Sequence, residues 1–63
     1  MQAQAKTVSD RVELFEAGGE WVVRVYADGG ETVRSFELES FARAFAEGQR
    51  LRFGLAGIEQ PEA

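Results

Sequence analysis

Carboxylates are the reactive groups this sequence holds in quantity: eleven Asp and Glu stand against seven Lys and Arg, with one Tyr and neither His nor Cys. The commonest general base, the thiol nucleophile and the usual transition-metal ligands are therefore missing. Two carboxylates flanking a cleft could do acid–base work of the glycosidase kind, but 63 residues enclose little volume. No catalytic, cofactor-binding or metal-binding residue is assigned, and the chain is read as non-enzymatic. Gly18-Gly19 and Gly29-Gly30 open no helix and fit no phosphate-binding fingerprint. Asp28-Gly29-Gly30-Glu31 lacks the ligand spacing of a calcium loop.

Binding chemistry is better supplied, in two sets. Phe15, Val22, Tyr26 and Val33 are apolar, and Glu13, Glu16, Glu20 and Glu31 lie close to them in sequence. Together they suit a protein partner, whose basic surface the carboxylates would steer toward. Arg43, Arg50 and Arg52 fall beside Phe53, a combination suited to single-stranded nucleic acid. The same arginines can instead pair with Glu39 and Glu47 and complement the C-terminal dipole of a helix. A net charge of −4 works against a phosphate backbone, which is bound mainly by neutralising it.

The elements that position these residues follow from periodicity. Residues 8–16 alternate, with Val8, Val12 and Leu14 on one side and Arg11, Glu13 and Phe15 on the other, which is the signature of a strand. Residues 21–27, WVVRVYA, are β-branched and aromatic between two glycine pairs, and give the strongest strand signal. Asp28-Gly29 is a hairpin signal, so a third strand runs over about 31–38. Ser40 is the expected N-cap of a short helix with Phe41, Ala44 and Phe45 on its apolar stripe, ending near Glu47 with Gly48 at the position after the cap. Alternation over 50–55 predicts a fourth strand with Leu51, Phe53 and Leu55 inward.

These elements make a small α+β domain, βββαβ, over residues 8–56, with tails at 1–7 and 57–63. A four-residue loop, Ala17 to Glu20, joining the first hairpin places Leu14 opposite Val23 and Val12 opposite Val25 on the face that the helix covers. Arg11 beside Tyr26, Glu13 beside Arg24 and Phe15 beside Val22 fall on the other face. Trp21, Phe41 and Phe45 are expected to meet under the helix. The order of strands, with Gly-Glu-Trp-Val-Val-Arg-Val followed by a Phe-Ala-Arg-Ala-Phe-Ala helix, resembles small three-strand-and-helix modules such as HicB-type antitoxins. The resemblance is topological, and no functional residue is carried across it.

A chain this short buries only about 60% of its unfolded surface, and without Cys or His it has neither disulfide nor zinc staple. A homodimer is expected, through an edge strand or the Phe15/Val22/Tyr26/Val33 face. The first residues contain no apolar run of signal-peptide length, so the expected location is cytoplasmic. The functional expectation is a protein-binding module that inhibits by occluding a surface, in the manner of antitoxins or phage anti-defence proteins. A nucleic-acid module and an oligomerisation subunit are the alternatives.

Overall fold

The computed structural model describes residues 9–61. The tail expected over 1–7 lies outside these residues. Strands β1 (Arg11–Ala17), β2 (Glu20–Ala27) and β3 (Gly30–Phe36) precede helix α1 (Glu39–Arg52) and the short strand β4 (Ile58–Glu59). The sheet order is β3-β2-β1-β4, antiparallel except for β4, which runs parallel to β1. This is an α+β fold with a mixed four-stranded sheet and one helix packed on it.

Both hairpins close through two-residue turns that need positive φ twice: Gly18 and Gly19 sit at 61° and 84°, Asp28 and Gly29 at 56° and 76°. Such turns fix the register. Leu14 pairs with Val23, Val12 with Val25, Trp21 with Phe36 and Arg24 with Val33, as the alternation predicts. The core is correspondingly small: Val12, Leu14, Val23 and Val25 from the sheet meet Ala42 and Ala46 from α1. Trp21, Phe36, Phe45, Phe53, Leu55 and Ile58 pack around it, with the Phe36 and Phe45 rings 5.6 Å apart.

Helix α1 departs from expectation in its start, its rotation and its end. Leu38, extended at φ −115° and ψ 136°, occupies the N-cap without a side-chain hydrogen bond, and Ser40 falls inside the first turn. The sheet-facing stripe is built on Ala42 and Ala46, which let the helix backbone come close to β1 and β2, while Phe45 fills the flank. Phe41 is consequently turned outward and is 61% exposed, so it does not join Trp21 and Phe45 in the core. Gly48 does not end the helix, although glycine there costs about 1 kcal/mol relative to alanine. Continuing the helix pairs Arg50 with Glu47 and brings Phe53 and Leu55 onto the core, and that packing outweighs the propensity. The true stop is Gly54 at φ 67°: its N–H bonds to the Leu51 carbonyl and the Leu55 N–H to the Arg50 carbonyl, a Schellman closure. Residues 50–55 therefore form no strand, and Leu51 is exposed.

The fourth strand lies at Ile58–Glu59, past the boundary expected at residue 56, and pairs with Val12 and Glu13. Its shortness has a covalent reason. In this parallel register the ladder would continue with residue 61 donating to the Leu14 carbonyl, and Pro61 has no N–H.

Candidate functional site

The face of the sheet away from α1 gathers Phe15, Val22, Tyr26 and Val33, together with Glu13, Glu20 and Glu31, because all have the same strand parity. Glu16 pairs with Trp21 and therefore belongs to the helix side. The outer face is tiled by charge and ring. Glu13, only 8% exposed, lies between two guanidiniums: Arg11 Nε donates to its Oε2 at 2.8 Å, and Arg24 Nε lies 3.1 Å from its Oε1. The second approach is off the hydrogen-bonding angle, leaving the Arg24 Nε–H without a partner. Arg24 Nη1 is also 3.9 Å from Glu31 Oε2.

Each guanidinium covers a ring, Arg11 at 4.3 Å from the Tyr26 centroid and Arg24 at 5.0 Å from that of Phe15. The hydrogen bond to Glu13 raises the Arg11 pKa above its ordinary value, so this charge is fixed at any ordinary pH. Two consequences follow for the residues singled out in the sequence. Phe15 and Tyr26 are partly roofed by arginine, and Glu13 has its charge neutralised, which leaves Glu16, Glu20 and Glu31 as the exposed carboxylates of the set. The signal for this arrangement was present in the pairs Arg11/Tyr26 and Glu13/Arg24, but the diagonal Arg11–Glu13 contact along β1 was not foreseen.

The three arginines of the nucleic-acid alternative are not brought together. Arg43 and Arg50 lie on one side of α1 and are engaged: Arg43 Nη2 donates to Glu39 at 2.6 Å, while Arg50 makes two bonds to Glu47, at 3.0 and 2.5 Å, and one to the Leu55 carbonyl at 3.0 Å. Arg52 points elsewhere, over the Phe53 ring at 5.2 Å. It borders a hollow of about 330 Å³ whose wall includes Arg34, stacked 5.0 Å over Phe45. Among the described residues, Arg34 and Arg52 have no carboxylate within ion-pair distance. Arg34 was missed in the sequence, although its pairing with Val23 puts it on the helix side of the sheet.

A second depression, of about 640 Å³, lies where β4 stops short, between Phe15, Trp21, Arg43 and Pro61. Among the described residues no group of three or more Asp or Glu is placed to hold a metal ion, and no helix is long and apolar enough to cross a membrane.

The Glu47–Arg50 contact predicts a pH effect. Hydrogen bonding by Arg50 holds the Glu47 carboxyl below its ordinary value of 4.5. A depressed folded-state pKa stabilises above the unfolded value and is lost as pH falls through the folded one. The stability gap between wild type and Glu47→Gln should therefore be constant near neutrality and close as the pH falls below 4.5. Urea midpoints measured across an acid series would show this, with a small amplitude because the pair is still partly open to solvent.

Compared with protein-family models, curated proteins and solved structures, the chain matches none.

Proposed function

We propose that this chain is a non-enzymatic protein-binding module, of the class that inhibits a partner by occupying its surface, as antitoxins and phage anti-defence proteins do. The observation that supports this reading is the open edge of β3. All seven of its residues pair with β2 on one side in an unbroken register, and among the described residues no strand lies on the other. The two-residue turn makes Ala27 and Gly30 the first hydrogen-bonded pair, so Glu31, Val33 and Ser35 direct their backbone groups outward. Edges are usually blunted by Lys, Pro or a bulge; β3 has none of these, and its one charged residue on the helix side, Arg34, is held over Phe45. Val33 is 54% exposed beside this edge. A partner strand added here would gain main-chain hydrogen bonds, an apolar contact at Val33 and attraction to Glu20 and Glu31.

The test is capture of a partner from the source cell by wild type and by Val33→Pro, with identification by mass spectrometry. Proline at Val33 removes an outward N–H and no bond to β2. The expected result is a specific protein retained by wild type and lost by a Val33→Pro variant that keeps its circular dichroism. Undiminished capture by that variant would refute edge pairing.

A nucleic-acid reading is favoured by one observation, the two carboxylate-free arginines at a single hollow. It requires Arg34 and Arg52 to make the phosphate contacts. Under this reading, Arg52→Glu weakens low-salt binding of single-stranded DNA or RNA and lowers the salt slope by about one unit.

A further inference from the structure

Helix α1 carries a second apolar stripe. Ala42, Phe45 and Ala46 face the sheet, whereas Phe41, Ala44, Gly48 and Leu51 are exposed on the opposite side, Phe41 at 61% and Leu51 at 63%. Their 3-4-3 spacing is that of alternating a and d positions in a helix–helix seam. At about 100° per residue the four fall within a band of roughly 80°. Nothing among the described residues accounts for Gly48. It lies inside the helix without positive φ, and a Cβ built on it would meet nothing within 4 Å. A helix-weakening residue in open space is explained if another backbone approaches there.

We propose that the approaching group is a second copy of this chain, docked helix to helix and antiparallel about a two-fold axis. The stripe is complementary to itself in that sense. Phe41 and Leu51 lie five residues to either side of Ala46, and Ala44 and Gly48 two to either side. A two-fold axis at Ala46 sets Phe41 against the partner's Leu51 and Ala44 against the partner's Gly48. Small residues meet at the crossing point, where the backbones must come closest, and large ones fill the space where the helices diverge. In an antiparallel pair an a position faces a d position, and both pairs obey this.

Charge agrees with the antiparallel sense. Arg52, in the last turn, is carried over the start of the partner helix, near Glu37, which precedes any basic residue there; Glu39 beside it is already bonded by its own Arg43. A parallel pair would set the two acidic ends together. The two copies of Glu47 come near the axis, each already bonded by its own Arg50. The contact is isologous and closed, and it leaves both sheets outward. The dimer then offers two β3 edges, so self-association and partner binding use different surfaces.

Sedimentation equilibrium of the full chain from micromolar to millimolar concentration tests the proposal with three variants. Glutamine is a better helix former than glycine and meets open space in the monomer, so Gly48→Gln should fold at least as well while holding the helices apart. Wild type is expected at twice the 7.0 kDa chain mass, with a melting temperature that rises with concentration. Gly48→Gln is expected to self-associate at least ~10-fold more weakly, and Val33→Pro to dimerise as wild type does. Because the chain has no Cys, orientation can be read by oxidation: mixed Phe41→Cys and Leu51→Cys chains should form the mixed disulfide in preference to either homodimer. A wild type monomeric at millimolar concentration, an undiminished Gly48→Gln dimer, dissociation by Val33→Pro, or preferred homodisulfides would each overturn the proposal.

Discussion

Leu14→Ala is expected to destabilise the domain by roughly 3–5 kcal/mol and leave it largely unfolded at 37 °C. Leu14 is 1% exposed and has the largest side chain among those buried outright, lying across from Val23 with Val12 and Val25 around it. Truncation removes apolar contact and leaves a cavity, and the sheet cannot collapse into it because α1 already rests on Ala42 and Ala46. At the usual 0.05–0.15 kcal/mol per residue, a domain of this length has a total stability of only about 3–9 kcal/mol. No disulfide can make up the difference, since there is no Cys. Phe41→Ala is the comparison: an aromatic of greater volume, but exposed, whose loss should stay within about 0.5 kcal/mol at concentrations where the chain is monomeric. Urea melts followed by circular dichroism, with both variants at the same low concentration, measure the contrast. Equal shifts would mean that the helix is rotated from the position described.

The two hairpins were legible in the sequence, and the helix rotation was not. Asp28-Gly29 signals a two-residue turn, and the four-residue loop expected over Ala17 to Glu20 gives the same register as the tighter Gly18-Gly19 turn that forms, with Ala17 and Glu20 paired in the strands. Once the register is set, a period of two leaves no freedom in which residues face which. The helix offered two apolar stripes of similar strength, one through Phe41 and Ala44 and one through Ala42 and Ala46. Hydrophobicity alone favours the stripe with the larger side chains, whereas docking on a sheet favours the one that lets the backbone come closest. Gly48 misled for a related reason: its propensity is local, and the packing of Phe53 and Leu55 that carries the helix past it is not. A two-residue strand such as β4 has no periodicity to read. The outer-face set of Phe15, Val22, Tyr26 and Val33 among Arg11, Glu13, Arg24, Glu31 and Ser35 follows from parity alone and is the one the strands present. The neutralisation of Glu13 depends on where two long arginine side chains lie, which parity does not specify.

That neutralisation makes Glu13 the polar residue whose loss should cost most, and Glu13→Ala is expected to destabilise by about 2 kcal/mol. Breaking a fully buried pair costs about 3–5 kcal/mol and an exposed one about 1 or less. Glu13 belongs to the first regime, with its side chain 11% exposed, but Arg11 and Arg24, at 32% and 34%, can still reach water. The intermediate value follows from that asymmetry. Deleting the carboxylate also leaves two cations on neighbouring strands without their shared counter-ion, and their positions over Tyr26 and Phe15 are no longer held from below. Glu13→Gln keeps an oxygen for the Arg11 Nε–H and should lose about half as much, roughly the difference between a charged and a neutral hydrogen bond. Equal losses from the two variants would assign the effect to charge alone. A loss within 0.5 kcal/mol for Glu13→Ala, the range of ordinary surface substitutions, would show that water replaces the carboxylate and that the outer face is not organised around it.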